Sequence, residues 1–180
     1  MSDINVQKLA GLDEAARAAL VRRSESDLSF FLEKVQPIID AVKNEGDAAL
    51  VRYGRDFDKA VSLTAETLQV SEAEFDEAFG LVDDKVIEAI RFGIGNIKNF
   101  HEEQAPEPMW LKEVRPGAFA GDRYLPINSV ALYVPRGKGS FPSVTMMTAV
   151  PGVVAKVPNL AIFTPPGPDG KVDAATLVAA

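Results

Sequence analysis

The sequence predicts an α/β chain: an N-terminal helical segment over residues 1–109, then over 110–180 the start of a parallel sheet of βαβ type. Three observations carry this. Apolar residues recur at helical spacing as far as about Gln104. Two short apolar runs, residues 130–134 and 159–164, are separated by a stretch of helical length. Each run is followed by a loop rich in Pro and Gly, as at the carboxyl ends of strands in an open α/β sheet.

In chain order, residues 13–23 read as a short Ala-rich helix with Leu20 and Val21. Phe31, Val35, Ile38 and Val42 follow on one helical face. Pro37 falls inside that pattern, where it either kinks the helix or occupies the first turn of a new one. Gly46 is the expected stop and Asp47 the expected N-cap of the next helix, which carries Ala48, Ala49, Leu50 and Tyr53 to about Phe57-Asp58. Ser71-Glu72-Ala73-Glu74 is a capping box, with Phe75, Phe79 and Val82 expected to face inward. Asp83 caps a long helix with Val86, Ile90, Ile94 and Ile97 on one face. Gly93 and Gly95 inside it cost about 1 kcal/mol each against Ala, so close packing is expected there. Phe100, His101 and Gln104 end this helix before Pro106 and Pro108.

Residues 110–124 are strand-like and broken by Pro116-Gly117, which predicts a hairpin. The run 130–134 has the composition of a buried parallel strand. Ser143 is the expected cap of a helix to about Lys156, and Asp173 of another after the second strand and its loop at 165–170. The chain stops at Ala180 within an apolar helix, and two parallel strands do not complete a sheet, so a longer polypeptide is expected.

Composition limits the function classes. The chain has 180 residues, 47% apolar and 25% charged, enough for one ordinary domain with a helical extension. Without cysteine there can be no disulfide, thiolate nucleophile or Cys-ligated metal in these residues, which suits a cytoplasmic location. Met1-Ser2-Asp3-Ile4-Asn5 lacks the pattern of a signal peptide. No stretch reaches the ~18 consecutive apolar residues of a membrane span. The net charge is −7, with −10 on residues 1–113 and +3 on residues 114–180. So acidic a first part argues against nucleic acid as partner. The mildly basic second part suits a small anionic ligand, although ordinary surface variation is the simpler account of the charge alone.

The loop after the first parallel strand is the strongest site candidate. Gly137 and Gly139 permit close backbone approach, Arg136 and Lys138 supply positive charge, and the helix start at Ser143 would add oriented amides. It matches neither GxGxxG nor the phosphate loop, and a structural loop with solvated basic residues explains it equally well. Tyr133 ends the adjoining strand and on physical grounds alone reads as a buried aromatic. His101 is the single histidine, which rules out a multi-histidine metal site within the chain; it reads as a partly exposed helix-terminal residue. The clusters Glu72/Glu74/Asp76/Glu77 and Asp83/Asp84 read as solvated helix starts rather than acid–base pairs.

Several ordered blocks then carry a family resemblance. Residues 35–58, with Ile38-Ile39, Val42, Glu45-Gly46-Asp47-Ala48-Ala49-Leu50, Tyr53 and Phe57-Asp58, resemble the N-terminal helical segment of histidinol dehydrogenases. Residues 97–104, with Phe100-His101 and Gln104, resemble the family's next block. Residues 130–143, Thr164-Pro165-Pro166 and Asp169-Gly170-Lys171-Val172 resemble its strand, loop and second strand end. Together they span essentially the whole chain.

The resemblance implies an incomplete Rossmann-like domain beginning at residue 110 and cut short at 180. It implies oxidation of L-histidinol to L-histidine through histidinal with two NAD, a bound zinc, and a homodimer whose subunits share each active site. Tyr133 matches the family's NAD-contacting tyrosine. The zinc ligands and the catalytic glutamate–histidine pair fall beyond Ala180 in the family, so none is assigned here and the 180 residues alone are expected to be inactive. The loop departs from the usual neutral Gly-Gly of the biosynthetic enzymes through Arg136 and Lys138. A paralogue oxidising another, anionic alcohol is therefore one alternative. A short non-catalytic relative acting as a binding or oligomerisation module is a second, and a dinucleotide-binding module working with a separate chain a third.

Overall fold

Capping residues and turn glycines set most element boundaries in the computed structural model, which describes residues 6–21, 29–137 and 139–180. Met1–Asn5, the expected helix end at Arg22-Arg23, and Lys138 of the first loop lie outside the described residues. The chain divides into two compact units, Met1–Gly46 and Asp47–Ala180.

In the first unit, a 3₁₀ turn at Leu9–Gly11 precedes helix α1, Glu14–Val21. Asp13 caps it by accepting from the Ala16 amide at 2.7 Å, and Arg17 Nε donates back to Leu9 O at 3.0 Å. Helix α2, Ser29–Glu45, runs through Pro37 as one helix, so Pro37 does not open a new one. Gly46 ends it with φ 60°, a left-handed conformation that glycine adopts without a Cβ clash, and donates its amide to Val42 O at 2.9 Å.

The second unit opens with α3, Asp47–Phe57, where Asp47 is the first helical residue rather than the cap before it. Ala49 is buried on this helix, and Tyr53 stacks on Phe57 at 5.3 Å between ring centroids. Arg55 closes the following loop by donating from Nε and Nη2 to Leu63 O, at 3.0 and 2.6 Å. In helix α4, Glu72–Leu81, the expected capping box forms: Ser71 Oγ accepts from the Glu74 amide while the Glu74 carboxylate accepts from the Ser71 amide. Of the residues expected to face inward, Phe75 and Val82 are half-buried and Phe79 is not. Ala78 is buried while Phe79 is 45% exposed, because a small residue lets the backbone of α4 lie close to α7.

Helix α5, Asp84–Gln104, starts at the Asp83 cap as expected and ends before Pro106. Its buried stripe begins at Ile87 rather than Val86 and continues through Ile90. Gly93 packs closely against α6 as expected, whereas a Cβ on Gly95 would meet nothing within 4 Å. Strands β1, Met109–Arg115, and β2, Ala118–Arg123, form the predicted antiparallel hairpin. Gly117 turns it with φ 78°, and the Glu113 carboxylate accepts from the Gly117 amide at 2.8 Å.

Strand β3, Ser129–Tyr133, pairs in parallel with β4, Asn159–Phe163, in the register Ser129↔Asn159 to Tyr133↔Phe163. Helix α6, Pro142–Val154, connects them and packs on both α5 and the sheet. A short helix α7, Ala174–Ala179, follows β4 and lies against α4 and α6. This mixed helix–strand arrangement is the predicted α/β class. The strands differ from the expected two-faced burial. Val130, Leu132, Leu160 and Ile162 are half-buried, and the alternate residues Ala131, Tyr133, Ala161 and Phe163 are exposed. Helix α6 covers one face, and no described element covers the other.

Candidate functional site

The carboxyl ends of β3 and β4 lie side by side in parallel register, so their two loops emerge at one edge. Val134 anchors the first loop: it is 1% exposed and donates its amide to Phe163 O at 2.8 Å. Tyr133, one residue earlier, points the other way and is 65% exposed. The buried-aromatic reading therefore does not hold within these 180 residues.

Arg136 is not a freely solvated cation. Its Nη1 donates to Lys171 O in the second loop at 3.3 Å. Ser140 Oγ donates to Asp173 Oδ2, which also accepts from the Thr176 amide and Thr176 Oγ1, each at 2.9 Å. Asp173 thus caps α7 as expected and holds the first loop as well. Burial pushes its carboxyl up, but the hydrogen bonds from Ser140 and Thr176, with the Arg136 guanidinium, outweigh this and hold it below the ordinary value. On the far side of the second loop, Ser62 Oγ donates to Asp169 O at 2.8 Å and Lys171 Nζ pairs with Glu77 at 3.0 Å. The Glu77 carboxylate raises the Lys171 pKa.

Helix α6 does not start as expected. Phe141 is its N-cap position with no side-chain cap bond, Pro142 fills the first turn, and Ser143 is inside the helix. Pro142 has no N–H, and the Val144 and Thr145 amides are both directed at Phe141 O. Fewer amides therefore face an anion than the sequence suggested. In the next turn Thr145 is completely buried, and its Oγ1 has no hydrogen-bond partner among the described residues.

His101 sits in the last turn of α5, half-buried, with its ring edge-on to Phe100 at 5.3 Å. With Asn96, Ile97, Phe100 and Met147 it lines a hollow of about 280 Å³ between α5 and α6. Among the described residues no group of three or more His, Asp or Glu could hold a metal. The residues present therefore do not fit a zinc site. The acidic clusters serve as helix caps and as the partner of Lys171. Sequence reasoning missed Ser140, Lys171 and Ser62, whose partners lie 33, 35 and 107 residues away.

Comparison with known proteins gives this geometry a family. The model of the family described as histidinol dehydrogenase matches residues 21–180. A "Histidinol dehydrogenase homolog" of Cereibacter sphaeroides is 75% identical over 180 residues, covering 100% of this chain and 41% of that protein. A "Histidinol dehydrogenase" of Synechocystis sp. is 46% identical over 175 residues, covering 97% of this chain and 40% of that protein. The crystal structure of histidinol dehydrogenase from Elizabethkingia anophelis superposes with a TM-score of 0.78 at 30% identity, covering 88% of this chain and 35% of that one. The chain thus spans about two fifths of the length of the curated relatives it matches. With a match over nearly all its residues, it belongs to the histidinol dehydrogenase family and corresponds to that family's N-terminal portion.

Proposed function

We propose that these residues are the N-terminal part of an NAD- and zinc-dependent alcohol dehydrogenase of histidinol dehydrogenase type, oxidising L-histidinol to L-histidine. The family match over residues 21–180 carries this reading. In this reading residues 1–109 form a helical segment and residues 110–180 begin the NAD-binding domain. NAD, when bound, accepts hydride from the alcohol carbon. Tyr133 offers an exposed ring at the carboxyl end of β3 on which a flat heterocycle can stack, and the adjoining Val134 fixes that strand end. The zinc ligands belong to residues beyond these 180, and the full polypeptide works as a cytoplasmic homodimer.

A second reading has its own support: a paralogue that oxidises an anionic alcohol. Four relatives 56–75% identical to this chain carry the name "Histidinol dehydrogenase homolog", one of them as "homolog 2", while the 46% identical protein of Synechocystis sp. is named "Histidinol dehydrogenase". The first loop also carries Arg136 and Lys138.

Steady-state NADH formation by the protein purified from its source cell, with L-histidinol and with an anionic alcohol, tests both readings. A clear preference for histidinol removes the second. Preference for the anionic alcohol removes the biosynthetic role but keeps the dehydrogenase. An intact mass of 19.4 kDa without turnover would favour a binding or oligomerisation module instead.

A further inference from the structure

The two loops at the carboxyl ends of β3 and β4 are tied together at two points. At the first, Arg136 Nη1 donates to Lys171 O at 3.3 Å, and the same carbonyl accepts from the Gly167 amide at 2.8 Å. Gly167 is buried against the guanidinium. A Cβ at position 167 would lie 2.8 Å from Arg136 Nη2, closer still to Nη1 and 2.5 Å from Asp169 Oδ1, so the arginine and the aspartate side chains would both have to shift to admit it. At the second, Ser140 Oγ donates to Asp173, whose carboxylate also caps α7. The arginine and the serine flank the loop that begins beside Tyr133, and both reach the loop that follows Phe163.

We propose that Arg136 is a positioning residue: it fixes the β3–α6 loop against the β4–α7 loop and so holds the Tyr133 end of β3 in the form that binds the dinucleotide. The proposal rests on the reading of this edge as an NAD site. It gives the unusual positive charge of the first loop an intramolecular task, distinct from contact with an anionic substrate. A guanidinium suits it, since it donates to the Lys171 carbonyl while its two terminal nitrogens lie close to Gly167.

The test uses the full-length protein as wild type, Arg136→Gln, Gly167→Ala and the double variant. Gly167 has no positive φ, so the alanine probes space alone. Each single change is expected to speed amide exchange at Gly167 and to raise the Kd for NAD, each by about tenfold, the worth of one hydrogen bond. The kcat at saturating NAD should stay within about twofold, as for lost uniform binding. The double variant should fall short of the sum of the two singles, because both disturb the Arg136 contact while the alanine also presses on Asp169, which accepts from the Lys171 amide. Arg136→Lys, which keeps one donor, should recover part of the loss.

Additive effects, or unchanged exchange and NAD affinity, overturn the proposal. So does a rise confined to the KM of the alcohol, which would place Arg136 on the substrate. A wild-type protein that binds no NAD defeats the proposed function itself, whereas wild-type binding with indifferent variants defeats only the role of Arg136.

Discussion

Gly93 of α5 faces Met146 of α6 so closely that a Cβ at position 93 would lie 3.3 Å from the methionine sulfur. Two turns of helix are brought together there by the absence of a side chain. Gly95, on the same helix, has no such neighbour. Gly95→Ala is therefore expected to stabilise by about 0.5–1 kcal/mol through helix propensity alone. Gly93→Leu should destabilise by about 1–3 kcal/mol through overpacking. Urea denaturation of the two variants checks the contrast; equal effects would mean that α5 and α6 are not in contact at this point.

Thr145 gives a second expectation. Its hydroxyl is buried without a partner among the described residues, so it carries a desolvation cost with no hydrogen bond in return. Thr145→Val keeps the shape and removes that cost, and should stabilise these 180 residues by about 1 kcal/mol. A loss of stability on denaturant unfolding would show that the hydroxyl has a partner.

The exposed ring of Tyr133 separates binding from folding. Tyr133→Ala should leave stability within about 0.5 kcal/mol of wild type, as is usual at exposed positions. NAD affinity of the full-length protein should fall, and Tyr133→Phe should retain much of it because the ring face is kept. Titration of NAD into the two variants, alongside thermal melts, reads both effects.

Asp173 sets an acid limb. Its folded-state pKa is lowered, so its contribution to stability is complete above the ordinary value of 3.8 and is lost as pH falls below that through the folded value. Asp173→Asn should therefore be less stable than wild type at pH 7, with the gap narrowing below pH 3.8. A gap that stays constant from pH 7 to pH 3 would remove the carboxylate from the argument.

What the sequence revealed was local. The Ser71/Glu74 box, the Asp83 and Asp173 caps and the Pro116-Gly117 turn all satisfy backbone groups within four residues, so their signals sit in adjacent letters. Errors arose where a neighbour distant in sequence decided the outcome. The stripe of α5 begins at Ile87 and not Val86, and α4 turns Ala78 inward in preference to Phe79, because the packing partners α6 and α7 set the contact line. Ser143 has the residue type of a cap, but Pro142 begins the helix one residue earlier. That Tyr133 and both loops meet at one edge was legible from the βαβ pattern. Its electrostatics were not, because the partners of Arg136 and Ser140 lie more than thirty residues away.

The β1–β2 ribbon bears on how these residues behave in concentrated solution. It is two strands wide, and Met109, Trp110, Leu111, Val114 and Phe119 on it are all largely uncovered. Each strand keeps one outer row of backbone donors and acceptors without a ladder partner among the described strands. Such a ribbon is a template for strand addition between molecules. Light scattering from a preparation of these 180 residues should therefore climb with protein concentration, and a charged residue in place of Leu111 should flatten that climb without touching the folded helices.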